Sequence, residues 1–232
     1  MKLISVIMAT YNRESYIQGA LESILRQNYA PMEIIVIDDG STDRTPEIVA
    51  GLIEQRAAPI RYVRQENQGQ PSAFNHALRL ARGEIIAFLD DDDLWPADRL
   101  PTQLDYFVQG GRPGEEIGIV LGKKDYFADG VKVNDAEMAA ANQRPYRYSL
   151  GAALLARWVF ERVGVFDEHI GYVSDWDWFA RARALEIPTA IDPRITLLGR
   201  IHAGNITQNR ELGAKLTVEM IRRHMRRKED QA

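Results

Sequence analysis

Along the first part of the chain, short apolar runs alternate with segments of helical periodicity. Leu3–Met8, Glu33–Ile37, Ile60–Arg64 and Glu84–Leu89 read as strands, and Glu14–Gln27, Thr45–Arg56 and Pro71–Ala81 between them read as helices. The strand runs are apolar on successive positions rather than alternate ones, as strands covered on both faces must be. Strand–helix–strand repetition of this kind predicts an α/β fold built on a doubly wound, mainly parallel sheet. Breakers mark the boundaries: Asp39-Gly40-Ser41 follows the second run, Arg82-Gly83 ends the third helix, and Pro96 sits where a helix N1 position is expected.

Beyond residue 115 the pattern changes. In IGIVLGKKDYFADGVKV, from Ile117, the pair Asp129-Gly130 between apolar-rich runs predicts a hairpin turn. A mixed stretch through Tyr148–Ala156 follows, then a short helix around Trp158, a helix over Asp175–Leu185, a strand near Ile195 and a last helix from about Gln208; Asp135–Arg147 gives no clear pattern. There is neither a low-complexity linker nor an internal repeat, so residues 1–232 are expected to form a single domain. Its parts are a βα half (about 1–115), a smaller mixed half (about 116–208) and a C-terminal helix with a basic tail (209–232).

Composition narrows the function classes. With 232 residues, 45% hydrophobic and 27% charged, the chain can bury one sizeable core, and disorder is excluded as its main state. The absence of cysteine excludes disulfides, thiolate zinc sites and cysteine nucleophiles, and favours the cytoplasm. A net charge of −4 argues against nucleic acid as a partner. The apolar run in MKLISVIMATYN is too short for a signal sequence, and no stretch approaches the ~18 apolar residues of a membrane span. One basic cluster stands out, IRRHMRRKED from Ile221. It is expected to be the solvated end of a helix, dispensable for chemistry, or else a contact with a membrane surface or partner.

The candidate chemistry lies at the strand ends. These carry Thr10-Tyr11-Asn12-Arg13, Asp38-Asp39-Gly40-Ser41, Arg64-Gln65-Glu66-Asn67 and, in EIIAFLDDDDLWPADRL, Asp90–Asp93. In open α/β sheets, ligands bind outside the carboxyl ends of the strands. A helix cap would use one carboxylate, not four. Hard oxygen ligands at this density suit Mg2+ or Mn2+, which bind through one or two carboxylates plus the phosphates of a substrate. The expected positive partner of the four aspartates is therefore a metal carrying a diphosphate. In an extended chain, Asp90 and Asp92 would point to one side and Asp91 and Asp93 to the other. Asp39 could accept a hydrogen bond from a base N–H or a ribose hydroxyl, and Arg13 and Arg64 join the ligand-facing candidates. No Gly-x-Gly-x-x-Gly and no Walker lysine follows the first strand, which removes the main support for dinucleotide and ATPase readings.

The segments SVIMATYNRESYIQGALESILRQNYAPMEIIVIDDGSTDRT and QENQGQPSAFNHALRLARGEIIAFLDDDDLWPADRL resemble the nucleotide-binding half of a family 2 glycosyltransferase with the GT-A fold. SDWDWFARA resembles the family's acidic acceptor-side motif, with Ser174 where Glu is common, and LGRIHAGNIT resembles its Arg-x-His stretch. The resemblance covers about residues 3–208. It implies a metal-dependent inverting hexosyltransferase moving a sugar from a nucleotide-diphosphate donor, expected to be UDP-linked, to a glycan or lipid-linked hydroxyl in bacterial polysaccharide or cell-surface glycan synthesis. The setting it implies is cytoplasmic, at the inner face of the membrane.

Residue roles follow from the same resemblance. Thr10 and Tyr11 would hold the nucleoside, with Tyr11 near the base, and Asp39 would accept from uracil N3–H. Asp90 to Asp92 match the Asp-x-Asp element: Asp92 would bind the metal, while Asp91 or Asp90 would approach ribose and sugar. Asp175 matches the catalytic carboxylate, His202 would complete the metal or diphosphate site, and Arg200 would contact phosphate. Two rivals remain in view: a noncatalytic sugar-nucleotide or glycan-binding module of the same fold, and a sugar-nucleotide pyrophosphorylase. The latter would want a Gly-rich basic loop where Ala9-Thr10-Tyr11-Asn12 stands.

Overall fold

A computed structural model describes residues 1–56, 58–109, 116–128, 149–203 and 210–229. Strands β1 (Ile4–Thr10), β2 (Met32–Asp38), β3 (Ile60–Arg64) and β4 (Ile85–Phe88) alternate with helices α1 (Ile17–Leu25), α2 (Thr45–Arg56) and α3 (Gln70–Leu80). Then come α4 (Arg99–Gln109), β5 (Ile119–Ala128), β6 (Ala153–Ala156), α5 (Arg157–Val163), α6 (Ser174–Ala184), β7 (Thr189–Ile201) and α7 (Arg210–Glu229). The sheet order is β3-β2-β1-β4-β6-β5-β7, with β6 antiparallel to both neighbours and every other pairing parallel. The mainly parallel α/β sheet expected from the sequence is present. The hairpin expected at Asp129-Gly130 lies outside the described residues.

β1 is buried along its whole length and β4 likewise, which is why their sequences are apolar without alternation. Strand order reverses between β1 and β4, so the crevice above their carboxyl ends is the switch point of the sheet. Below it, at the amino ends, Ser5 Oγ donates to Glu33 and accepts from the backbone of Arg82 and Gly83. Only glycine fits at position 83, because a Cβ there would stand 2.5 Å from the Ser5 nitrogen.

Two boundaries differ from the sequence reading. Helix α1 starts at Ile17 rather than Glu14: Tyr16, at φ −125°, is outside the helical range, and the backbone N–H groups of Arg13 and Glu14 bond to the side chains of Thr45 and Asp43. Helix α4 starts at Arg99, so Pro96 is not its N1 residue. Leu94 and Leu198 exchange backbone hydrogen bonds of 2.9 Å, which keeps the chain extended past the aspartates before it can coil. Arg99 is itself buried: it lies 4.0 Å from the Trp95 ring and donates to the carbonyls of Gly151 and Ala153, tying α4 to the start of β6.

The basic C-terminal segment is not simply a solvated helix end. Arg227 of α7 reaches Asp177 at 2.8 Å and Asp167 at 3.4 Å, Arg223 also pairs with Asp167, and Arg181 of α6 donates to Asp177 at 2.9 Å. Asp177 is completely buried, so deleting it would strand two guanidinium groups against the α6–α7 seam. Asp177→Ala is therefore expected to cost about 3 kcal/mol in urea unfolding. An unchanged midpoint would show that the seam is held by its apolar contacts instead.

Candidate active site

The four aspartates do not run on as an extended strand. The Asp93 N–H donates to the Asp90 carbonyl at 3.2 Å, closing a turn, and each of the four carboxylates has its own partner. Asp90 accepts from Gln70 Nε2 at 3.1 Å, and Asp91 from Arg13 Nε at 3.2 Å. Asp92 meets His202 Nε2 at 3.0 Å, and Asp93 accepts from Lys124 Nζ at 2.9 Å and from the Arg200 backbone N–H at 2.8 Å. The two-sided alternation expected from the sequence is thus replaced by one partner or set of partners per carboxylate. Part of the expected positive charge is supplied by the protein itself, as Arg13 and Lys124.

Packing so many carboxylates together shifts their titration. Burial pushes Asp90 well above the usual carboxylate range, and the neighbouring Asp93 and Asp92 add to the shift. Burial likewise raises Asp91 to about 7, against the pull of Arg13. The Thr10 hydroxyl and the Tyr11 N–H also favour the ionised form of Asp91, the hydroxyl without a hydrogen bond of normal geometry. Burial works against the Lys124 cation, yet Asp93 and Asp90 prevail and hold its pKa above that of an ordinary lysine.

Sequence reasoning missed Lys124. It sits on β5, where the register against β7 slips between Leu121 and Lys123 and again between Lys123 and Lys124. No periodicity signals such a slip. The only clue in the sequence was the need of four carboxylates for cations.

Several of the remaining candidates lie at the carboxyl ends of the neighbouring strands, where Thr10, Asp38 and Arg64 are in register. The buried Asp39 carboxylate accepts from Gln65 Nε2 and from the N–H groups of Gln68 and Gly69, which anchors the loop between β3 and α3. Tyr11, at the end of β1, is exposed, and Arg64 reaches the Ser41 carbonyl at 2.6 Å. Arg200 Nε donates to the Asp92 carbonyl at 2.8 Å, and its guanidinium lies over the rings of Tyr16 and Phe127. Buried His202 stacks on Tyr16 with ring centroids 4.4 Å apart, which fixes the imidazole against Asp92.

Asp175 lies in the first turn of α6. The N-cap is Val173, without a side-chain cap, so Asp175 is not held there as a capping residue. Its carboxylate accepts from the Trp176 N–H at 2.7 Å. Burial raises its pKa to about 7, against the pull of that N–H, its own backbone N–H and the Lys124 cation. The Lys124 cation, bonded to Asp93 of the aspartate turn, thus also acts electrostatically on Asp175. Of the tryptophans, Trp178 is core and donates to the Gly164 carbonyl, whereas Trp176 is exposed beside Asp175.

Among the described residues no group of three or more metal-ligating side chains is assembled. The donor set fits a divalent ion all the same, because Mg2+ and Mn2+ are held by one or two protein ligands plus substrate phosphates. Asp92 with His202 is such a pair.

The sequence model described as glycosyl transferase family 2 matches residues 5–146, and the chain belongs to that family. It is 29% identical over 214 residues to the Escherichia coli UDP-Glc:alpha-D-GlcNAc-diphosphoundecaprenol beta-1,3-glucosyltransferase WfaP, covering 90% of this chain and 82% of WfaP. It is 39% identical over 109 residues to a putative teichuronic acid biosynthesis glycosyltransferase, TuaG of Bacillus subtilis, covering 46% of this chain and 42% of TuaG. Among solved structures, the mannosyltransferase PcManGT from Pyrobaculum calidifontis in complex with GDP-Man and Mn2+ superposes with a TM-score of 0.76 at 23% identity, covering 97% of this chain and 64% of that one. Residues 1–349 of S. aureus TarS in complex with UDP-GlcNAc give 0.71 at 22%, covering 90% and 61%. At these identities the structural likeness is one of fold, the GT-A fold. The chain spans 35% and 44% of the lengths of two further relatives, from Nostoc and Haemophilus influenzae, each 41% identical to it over the part shared.

Proposed function

We propose that the chain transfers a sugar from a nucleotide diphosphate, with UDP as the nucleotide, to a hydroxyl of a glycan or lipid-linked acceptor, and that it inverts the anomeric centre. The observation that carries this reading is the Asp90–Asp93 turn at the sheet's switch point, held by Arg13, Lys124 and His202, with the Lys124 charge acting on Asp175 as well. Asp175, with a pKa of about 7, is matched to taking a proton near neutral pH. It removes the acceptor hydroxyl proton as the oxygen attacks the anomeric carbon. The bond from that carbon to the diphosphate oxygen breaks on the opposite face, and its electron pair leaves with the diphosphate. Asp92 and His202 would hold Mg2+ or Mn2+, which when bound neutralises charge on the leaving diphosphate. Thr10, Tyr11, Asp39, Arg13 and Arg64 would meet the nucleoside, and Asp90, Asp91 and Arg200 the sugar and phosphates. WfaP, with its UDP-Glc donor and diphosphoundecaprenol acceptor, supports this choice of donor and acceptor class.

Thermal unfolding with a panel of nucleotide diphosphates tests the proposal. A ligand of the native state at a hundredfold excess over Kd adds about 2.7 kcal/mol, enough to raise the midpoint clearly. With Mn2+ present, UDP is expected to give the largest rise and CDP little, because the Asp39 carboxylate can accept from uracil N3–H but meets an unprotonated N3 in cytosine. Asp39→Ala is expected to narrow the gap between UDP and CDP. A largest rise with GDP would contradict the uridine assignment.

A further inference from the structure

Helix α7 turns two unlike faces outward and inward. On the inner face Leu216 packs over Gly171, Gly213 lies against the Tyr172 hydroxyl, and Arg223 and Arg227 pair with Asp167 and Asp177. At 100° per residue, the outer face groups Val218, Ile221 and Met225, which are 48, 50 and 58% exposed. Exposed Lys215, Arg222 and Arg226 flank them along one side, with exposed Glu211 among them and Glu219 at 3.9 Å from Arg222.

That cationic flank continues into a cavity of about 390 Å³ lined by Val165, Asp167, Arg181, Arg223, Arg226 and Arg227, among others. Four guanidinium groups line this space, three of them, those of Arg181, Arg223 and Arg227, paired with Asp177 or Asp167. Arg226 makes no ion pair with any described residue. Exposed Val165 at the rim extends the apolar surface.

The chain as a whole carries a charge of −4, so a concentration of cations here is local and not a reflection of composition. Apolar side chains beside cations match one kind of surface in particular, a layer of phosphates over hydrocarbon. A free phosphate would use the cavity but leave the apolar strip uncovered. A second copy of the chain would bring Arg222 and Arg226 toward like charges. Three half-exposed side chains also fall far short of the ~800 Å² per partner of a stable interface.

We propose that the outer face of α7, with the arginine-lined cavity beside it, docks on an anionic lipid bilayer. Val218, Ile221 and Met225 enter the headgroup boundary, while Lys215, Arg222 and Arg226 face lipid phosphates. No helix among the described residues is long and apolar enough to cross a membrane, so this contact lies on the surface. The proposal does not depend on the assignment of the crevice, which lies among other residues.

Sedimentation of the full chain with vesicles tests it. The protein is expected to pellet with vesicles of equal phosphatidylglycerol and phosphatidylcholine, not with phosphatidylcholine alone, and to be released by 0.5 M salt as surface charges are screened. Arg222→Ala/Arg226→Ala is expected to weaken binding at least tenfold, at roughly fivefold per cation. Ile221→Ser/Met225→Ser is also expected to weaken it, and both variants are expected to keep the parent melting temperature because the altered side chains are exposed. UDP binding, measured on the same samples, is expected to be unchanged, which separates this surface from the crevice. Equal pelleting of parent and arginine variant, or no pelleting of the parent, overturns the proposal. It is also overturned by inorganic phosphate binding without vesicle binding, or by a dimer in sedimentation velocity that dissolves in the Ile221→Ser/Met225→Ser variant.

Discussion

Asp175→Asn is expected to lower sugar transfer by at least about 10²-fold while leaving the melting temperature and UDP affinity near those of the parent. Asparagine keeps the shape and the acceptor oxygen that meets the Trp176 N–H, but it cannot take a proton. In the parent, a base of pKa about 7 gives a distinct pH profile. Below about 7 the carboxyl is increasingly protonated, so the rate is expected to fall about tenfold per pH unit, and above it to level off. The stability consequence has the opposite sign. A carboxyl whose pKa is raised on folding favours the native state at low pH, and this contribution is lost as pH rises from the unfolded value toward about 7. Neutralising the group should therefore not destabilise the protein at pH 8. A variant that keeps most of its rate would remove Asp175 as the base. Asp177 offers no substitute there, because Arg181 and Arg227 occupy its carboxylate within the α6–α7 seam.

The second large effect concerns Asp92. Nucleotide diphosphate binding is expected to require a divalent metal, and Asp92→Ala is expected to abolish that requirement together with most of the affinity, measured calorimetrically with Mn2+ and with EDTA. Removing this carboxylate leaves His202 without its partner at 3.0 Å, but the turn keeps its other anchors, Arg13 on Asp91 and Lys124 on Asp93. The fold is therefore expected to survive. Its loss would show that the Asp92–His202 contact is structural, and equal affinity of the parent in Mn2+ and EDTA would exclude the metal.

The parts of the molecule that could be read from sequence are those in which local pattern and tertiary surroundings agree. Strands β1, β2 and β4 are buried almost throughout, so an unbroken apolar run was sufficient to find them, and α2 and the part-exposed edge strand β3 fall on the expected residues. The strand-end positions followed from the same pattern. Partners contributed by distant segments were not legible. Lys124 is turned toward Asp93 by an irregular register with β7, and the closed turn of the aspartates depends on the bridge from Leu94 to Leu198. The start of α1 moved for a related reason. Asn12 adopts a φ of 52°, and side chains of the next βα loop bind the N–H groups of residues 12–14, holding this stretch as a loop. The buried use of Arg223 and Arg227 was equally hidden, since a basic helix end reads the same whether or not carboxylates wait beneath it.

A divalent metal carrying the UDP diphosphate is expected at the Asp90–Asp93 turn. Crystals grown with Mn2+ and UDP, measured at the manganese absorption edge, test this most directly. The expected result is one anomalous peak within about 2.2 Å of an Asp92 carboxylate oxygen, close to His202 and bridged to the diphosphate, with the uracil beside Asp39. A nucleotide bound in the crevice without manganese, or a manganese peak away from Asp92, would contradict it.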